Sequence, residues 1–379
     1  MQTEQTRATE TVDKPVIDVD DPEACKACHA GVYEEWTESM HSRAHHDNDP
    51  IYGNMRALRM KKQGEQVANQ CVKCHNPRSP SAPDEPAGKV GISCAACHQV
   101  KAVHLEQGKV GVETLVYDTD GVMHSGRELP RDASPVHALG APLAAMQDGQ
   151  TLCLSCHNAT KTPTGAPACT TGPEFKSSAL SKGDEGQTCV SCHMPEVEGA
   201  AGAVGRQEKH RSHKFLGPHR AWYQDDKSIL TQAVDMDAEI KDNTLHVSLK
   251  NKSVHAFPSG FPGRMVVVKV VGLDEHNNVA WENFTENAMK ESPESVLNKV
   301  YHDKEGKPVA APFAEKMVRD NRLKADESRS LEYVVPDNVK AFKINMLYFL
   351  LPPPLSNTLG IEALPEAKPV VFMSKDVMR

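Results

Sequence analysis

The chain has 379 residues, enough for two or three domains, and a formal net charge of −8. The negative charge excludes nucleic acid as an expected partner, and no apolar run approaches the roughly 18 residues needed to cross a membrane. Hydrophobic residues make up 39% and aromatic residues only 5%, which is little for one large core. We therefore expect part of the interior to be filled by a group other than side chains.

The first stretch, residues 1–21, is polar and acid-rich and has almost no apolar periodicity. This composition predicts a disordered tail. The stretch also lacks the apolar segment of a secretory leader, so Met1 does not begin one.

The motif Cys-x-x-Cys-His then occurs five times, although chance predicts about 0.015 copies for this composition. The copies are Cys25, Cys28 and His29; Cys71, Cys74 and His75; Cys94, Cys97 and His98; Cys153, Cys156 and His157; and Cys189, Cys192 and His193. Two thiols at this spacing add to the vinyl groups of a haem, and the adjacent imidazole binds its iron. Zinc sites, thioredoxin-like pairs and disulfides do not need a histidine after every pair. The motifs predict five covalently attached haem c groups.

Covalent attachment of haem normally takes place outside the cytoplasm. We therefore expect that a leader was removed from the mature chain and that the protein is periplasmic or extracellular. The haem propionates would make the surface more acidic, which favours redox partner proteins over nucleic acid.

Each iron also needs a ligand on its far side, and thirteen of the 18 histidines lie outside the motifs. The stretch 30–43 predicts a helix, on which His41 would lie about 18 Å beyond His29. That separation is too large for one iron, so His41 is predicted to bind the iron of another motif. His104 follows its motif closely and is predicted to serve a neighbouring haem. His137 is a predicted far ligand at the start of a predicted helix.

After the fifth motif, three histidines occur within one span of ten residues: His210, His213 and His219. His213 is the predicted ligand among them. His255 is the first choice for the fifth far ligand, because a proline-rich loop between strands could project it into the haem region. His219 and His124 remain alternatives. Cys169, the eleventh cysteine, is interpreted as a free thiol or an intermolecular link.

Beyond residue 225 the chain has no cysteine and shows the alternation of β-strands, clearest at 234–240, 245–249 and 264–273. We predict an all-β, immunoglobulin-like sandwich over 226–379. The preceding residues, 22–225, are predicted to form a pentahaem cytochrome c domain of helices and loops with little regular structure.

With these motifs, the chain resembles bacterial multihaem c-type cytochromes over about residues 22–265. The surroundings of the predicted far ligands are similar to ligand positions of that family. The loop at His255 is similar to a Gly-His-x-Phe-Pro-Thr-Gly loop, with Val254 and Ser259 in place of glycine and threonine. The resemblance implies haems with two histidine ligands arranged as a wire. Related nitrite-reducing enzymes usually have a Cys-x-x-Cys-Lys motif, which is missing from this sequence.

Electron transfer is the first functional hypothesis, because an iron with two imidazoles has no position for substrate. The second is an oxidoreductase of nitrogen or sulfur oxyanions with one open haem, whose vacant side Arg211, Lys214 and Arg220 could line. The third is a subunit of an extracellular cytochrome filament, formed by self-association. The sequence favours the electron carrier over the enzyme.

Overall fold

The computed structural model describes residues 17–118, 121–130, 133–183, 185–204 and 208–379. Most of the predicted tail, residues 1–16, lies outside the described residues. The described helices are α1 (Pro22–Lys26), α2 (Ala30–Thr37), α3 (Pro50–Gln63), α4 (Glu65–Ala68), α5 (Val72–His75), α6 (Pro86–Lys89), α7 (Cys94–His98), α8 (Ala144–Gln147), α9 (Thr151–Leu154), α10 (Thr171–Ser177), α11 (Cys189–His193), α12 (Arg220–Tyr223), α13 (Ser228–Ala233), α14 (Ala288–Glu291) and α15 (Pro353–Leu359).

The strands are mostly in the C-terminal half. They are β1 (Val100–Val103), β2 (Leu115–Tyr117), β3 (Val122–Met123), β4 (Ala138–Leu139), β5 (Glu196–Glu198), β6 (Lys209–Arg211), β7 (Val234–Lys241), β8 (Thr244–Asn251), β9 (Met265–Leu273), β10 (Val279–Glu282), β11 (Val296–Leu297), β12 (Lys299–His302), β13 (Lys316–Asp320), β14 (Ser328–Val334), β15 (Ala341–Phe349) and β16 (Val370–Met378). The predicted mixed architecture, a helix-and-loop region followed by a β domain, is confirmed.

Two larger antiparallel sheets build the sandwich of the β domain, and β12 pairs with β13 in a separate two-stranded sheet. One of the larger sheets has the order β14-β8-β7, and the other has the order β10-β9-β15-β16, with β11 also paired to β9. Alternate residues of β8, Leu245, Val247 and Leu249, are fully buried, as are Ile344 and Met346 of β15. These side chains belong to one apolar core that both sheets share. The period-2 pattern of the sequence therefore reflects a sandwich with one buried face per sheet.

Helix α3 is the longest described helix, and its ends follow ordinary capping rules. The carboxylate of Asp49 accepts the backbone N–H groups of Ile51 and Tyr52, Pro50 occupies the first turn, and the helix ends at Gly64 with φ 86°. Ile51 also belongs to the core of the sandwich. The helix thus joins the N-terminal region to the β domain.

Two predicted helices are shorter than expected or missing. Helix α2 ends at Thr37, where the hydroxyl of Ser39 bonds to the carbonyl of Trp36 and competes with the helical pattern. His41 therefore lies in the turn after the helix. At His137 the hydroxyl of Ser134 accepts the backbone N–H of residue 137, and a short strand follows instead of a helix.

Short elements dominate the N-terminal region, where the described sheets are two-stranded pairs: β1 with β2, β3 with β4, and β5 with β6. None of the helices in the described ranges has the length and apolar character that crossing a bilayer demands. So little regular structure cannot supply a large core of its own, which agrees with an interior that side chains fill only in part.

Candidate haem-binding site

Each motif forms one tight turn that groups its thiols and its imidazole. In the first motif, the backbone N–H groups of Cys28 and His29 donate to the carbonyl of Cys25 at 3.2 and 2.9 Å. The fourth motif repeats this arrangement, and the third and fifth motifs form α7 and α11. All eleven cysteines lie in the described ranges, and each is a free thiol. The motif thiols therefore remain available for attachment to a cofactor.

One cavity of about 2230 Å³ is lined by all ten motif cysteines and all five motif histidines. A pocket for a single drug-sized ligand usually measures about 300–1,000 Å³. The cavity has room for several large groups, and its lining supplies two thiols for each.

Thiols of different motifs meet in this cavity, which shows how the motifs are arranged. In three pairs of cysteines, a hydrogen bond between thiols of two different motifs is the largest cause of the raised pKa of one partner. The pairs are Cys25 with Cys94, Cys74 with Cys156, and Cys153 with Cys189. The first motif thus lies beside the third, and the fourth lies beside both the second and the fifth. Burial, followed by the charge of Cys156, raises the pKa of Cys97 to about 12.

Four motif imidazoles face a second imidazole at nearly the same distance. The ring centres are 6.1–6.4 Å apart and the ring planes are inclined by 19–33°. The pairs are His29 with His137, His157 with His41, His98 with His213, and His193 with His255.

This spacing matches two imidazoles bound to opposite sides of one metal ion. With metal–nitrogen bonds of about 2 Å, and a ring centre about 1.2 Å from its nitrogen, the expected separation is about 6.4 Å. Direct stacking would bring the rings much closer, and unrelated histidines would not repeat one distance four times. The residues present therefore fit irons with two axial histidines.

Backbone carbonyls orient six of the eight imidazoles of these pairs, whereas the Nδ1 atom of His41 has no hydrogen-bond partner within the described residues. The Nδ1 atoms of His29 and His98 lie 2.6 and 2.7 Å from carbonyl oxygens, and those of His213 and His255 lie 2.8 and 3.1 Å from others. An Nδ1–H that donates to a carbonyl leaves Nε2 as the free acceptor, which is the tautomer that binds a metal.

Burial keeps these rings neutral. It lowers the pKa of His41 to about 3, and those of His157 and His213 to about 4, with neighbouring imidazoles adding to the effect. A neutral imidazole can bind iron at pH 7 without first losing a proton.

The second motif differs from the other four. The ring centre of His75 is 3.8 Å from that of Tyr52, with the planes inclined by 24°, so the phenol stacks directly on the imidazole. At that distance Tyr52 cannot lie across an iron from His75. Within the described residues, no histidine faces His75 at the spacing of the four pairs. Tyr52 is not among the residues predicted from the sequence, because no pattern in the sequence places it beside His75.

The structure also distinguishes among the histidines after the fifth motif. Both ring nitrogens of His210 have partners, the carbonyl of Gly199 at 2.8 Å and the carboxylate of Glu35 at 3.2 Å. The same carboxylate accepts the backbone N–H of His213 at 2.8 Å, while the ring of His213 faces His98. Glu35 therefore engages one imidazole and helps to position the neighbouring ligand candidate.

The remaining candidates are not brought beside a motif imidazole in this way. His104 is exposed in the loop after β1 and does not line the cavity. The ring of His124 contacts the carbonyl of Ala141 at 3.0 Å, and its own carbonyl accepts from His98. His219 lines the cavity, and burial followed by the charge of Arg264 lowers its pKa to about 3.

The loop that bears His255 is held by a buried ion pair between the two halves of the chain. The carboxylate of Glu174, from α10, lies 2.6 Å from the guanidinium of Arg322, and it accepts the backbone N–H of Ala256 and the hydroxyl of Ser259. Burial alone would raise the pKa of Glu174, but the charge of Arg322 and hydrogen bonds from the hydroxyls of Thr170 and Ser259 lower it to about 2. The β domain thus contributes a site residue and does more than cover the cavity.

The three cations proposed for an open haem all line the cavity, but two of them are already paired. The carboxylate of Glu38 lies 3.3 Å from both Lys214 and Arg220. Arg211 is exposed on β6. Cys169 also lines the cavity, and burial raises the pKa of its thiol.

The fold, with motif turns around one cavity and a C-terminal β sandwich, is that of a multihaem c-type cytochrome, as the sequence predicted. It is similar to the crystal structure of a penta-heme cytochrome c552 from Thermochromatium tepidum, with a TM-score of 0.78 and 23% identity. The match covers 94% of this chain and 98% of that one. Residues 24–99 match the family model of cytochrome c554 and c-prime. No curated protein matches the sequence significantly.

Proposed function

We propose that this protein is an electron carrier that binds five haem c groups, four of them between two histidines. The observation that carries the proposal is the repeated 6.1–6.4 Å separation of four imidazole pairs, each containing one motif histidine. Haem bound in this way supplies one-electron exchange with little rearrangement. The paired imidazoles exclude other ligands, and carbonyl contacts at Nδ1 keep six of the eight rings in place.

The thiol contacts support a route through the array. The first motif adjoins the third, and the fourth adjoins the second and the fifth. Phe215 lies between the far-side imidazoles of two of these motifs, with its ring centre 4.2 Å from that of His41 and 5.7 Å from that of His213. We infer that the fourth haem is the branch point of the route.

The cofactor count gives the first testable prediction. Mass spectrometry of the purified protein is expected to show five haem adducts per chain, since every motif presents two free thiols. Replacing Cys74 by alanine is expected to lower the occupancy of the second site, because one of its two covalent bonds is lost. The Cys169→Ala variant is the matched control and should retain all five. Fewer than five adducts in the unaltered chain would contradict the proposal.

A second candidate function rests on His75. Its imidazole is stacked on Tyr52 and has no histidine across from it in the described residues, so the iron at this motif would have a free position. Tyr52 is buried, and its hydroxyl has no hydrogen-bond partner within the described part of the chain. The second haem could then bind a small oxyanion, and the other four would deliver electrons to it.

Ligand binding tests this second candidate. The oxidised protein is expected to bind one cyanide or nitrite per chain and to show one high-spin haem beside four low-spin haems. The reason is that, among the residues that the structure describes, the second motif alone has no imidazole partner. Electron paramagnetic resonance before and after addition of the ligand measures both quantities. A protein that is inert to both ions and entirely low-spin would be an electron carrier alone.

We further propose a periplasmic or extracellular location, a haem domain over 22–225 and a β domain over 226–379. Covalent attachment of haem outside the cytoplasm supports the location, and the concentration of long strands beyond residue 233 supports the division. The acidic surface suits redox partner proteins with a basic docking face. A filament with a ligand from a neighbouring chain would need that ligand at the second motif alone, since the other four motifs have far-side imidazoles from this chain.

A further inference from the structure

A group of metal-ligating side chains lies outside the haem cavity. His45 and His46, in the segment between α2 and α3, meet Asp84, from the loop that follows the second motif. The Nε2 atom of His46 is 3.2 Å from a carboxylate oxygen of Asp84, and that of His45 is 3.9 Å from the same oxygen. One ligand atom from each residue lies within 4.8 Å of the others. None of the three lines the haem cavity.

His45 is entirely buried, but its Nε2 atom has no hydrogen-bond partner within the described residues. The buried Nδ1 atom of His46 is also without a partner there. A buried polar group that is left unpaired costs free energy, so native structures rarely keep one without a reason. The Nε2 atom of His45 lies 3.9 Å from the carboxylate of Asp84, which is too far for a hydrogen bond. A bound cation would remove this cost.

We propose that His45, His46 and Asp84 bind one divalent transition-metal ion of the Zn²⁺ type, separate from the haem irons. Bonds of about 2.0–2.1 Å in a tetrahedral site place neighbouring ligand atoms about 3.4 Å apart, close to the observed 3.2 and 3.9 Å. Imidazole and carboxylate are ligands that zinc accepts. The carboxylate of Asp47, with one oxygen 3.7 Å from Nε2 of His46, is placed to serve as the fourth ligand.

Metal binding through Nε2 of His45 leaves its Nδ1 atom to carry the proton. In this structure that atom accepts the backbone N–H of Asp47 at 3.1 Å, and a carboxylate oxygen of the same residue lies 3.5 Å from it. When Nε2 binds the metal ion and Nδ1 takes the proton, the carboxylate replaces the amide as the partner of Nδ1. A ligating imidazole held by a carboxylate is a common arrangement at metal sites.

The site lies behind the imidazole of the second motif. The Nδ1 atom of His75 is 3.0 Å from the carbonyl oxygen of Ala44, the residue directly before His45. In an imidazole that binds iron through Nε2, Nδ1 points away from the iron, so His45 and His46 cannot be its far-side ligands. A metal ion here would instead fix the segment that holds His75 in place.

Zinc binding to the haem-loaded protein tests the assignment. The protein is treated with a chelator and titrated with Zn²⁺ against a chromophoric zinc indicator, and the bound metals are counted by elemental analysis. We expect one Zn²⁺ per chain in addition to the haem iron. Asp84→Asn is expected to weaken binding at least tenfold, and its side chain is 68% exposed, so the change should not disturb folding.

The matched control is His276→Gln. His276 also lies beside a carboxylate, that of Glu275 at 3.5 Å, but both side chains are 74% exposed in the β domain. Its replacement should leave zinc binding unchanged, and His46→Gln should reduce it as Asp84→Asn does. The proposal is overturned if the unaltered protein binds no zinc, or if neither Asp84→Asn nor His46→Gln weakens binding while the haem spectrum remains intact.

Discussion

Replacing His213 by methionine is expected to raise the reduction potential of one haem, the haem of the third motif, by on the order of 0.1 V. The imidazole of His213 faces that of His98 at 6.1 Å, the spacing of two ligands across an iron. A thioether stabilises the reduced iron more than an imidazole does, so the potential of this haem moves upward. A spectroelectrochemical titration should show one haem displaced from the other four.

His210 provides the control for this experiment. It lies three residues before His213, but both of its ring nitrogens are engaged by other partners. The His210→Gln variant should therefore leave all five potentials close to their original values. If His213→Met leaves all five reduction potentials unchanged, His213 is not a haem ligand. If His210→Gln shifts one potential strongly, His210 and not His213 is the ligand in this cluster.

Replacing Glu174 by glutamine is expected to destabilise the protein by about 3 kcal/mol at pH 7, because Arg322 would lose one partner of a buried ion pair. Arg322 keeps Asp320 at 2.7 Å, which is why we expect the lower end of the usual cost of 3–5 kcal/mol. Chemical unfolding followed by circular dichroism measures the change. The exposed Glu332→Gln is the control and should change stability by less than about 0.5 kcal/mol.

The same pair predicts a dependence on pH. The pKa of Glu174 is about 2 in the folded protein, below its ordinary value of 4.5. Its contribution to stability is therefore complete above about pH 4.5 and is lost as the pH falls towards 2. Acid unfolding of Glu174→Gln should lack this part of the decline. If the free energy of unfolding falls with pH in the same way for Glu174→Gln and for the original protein, the carboxylate of Glu174 does not form the proposed ion pair with Arg322.

Haem attachment and the β domain could be predicted from the sequence because both depend on local patterns of residues. A motif of five adjacent residues does not need distant contacts to be recognised, and the alternation at 245–249 follows directly from the pleat of a strand. The far-side ligands remain predictions. The structure places His41, His137, His213 and His255 opposite motif imidazoles.

Other features could not be predicted because they depend on tertiary contacts. His104 lies near its motif in sequence, but the loop after β1 exposes it. His210 and His213 look alike in the sequence, and only the distant Glu35 distinguishes them. Tyr52 carried no sequence signal for contact with a motif 23 residues later. Which motifs adjoin was equally inaccessible, because contacts between thiols of different turns leave no trace in spacing.

The origin of His255 has a consequence for biosynthesis. A chain made from its N-terminus presents the fifth motif 62 residues before this imidazole, and the loop is fixed by Arg322, a further 67 residues on. If the chain crosses the membrane from its N-terminus, the proposed first ligand of the last iron emerges early, whereas the proposed second ligand waits for export of the β domain. A chain truncated before the sandwich would then be expected to carry a last haem with only one histidine ligand.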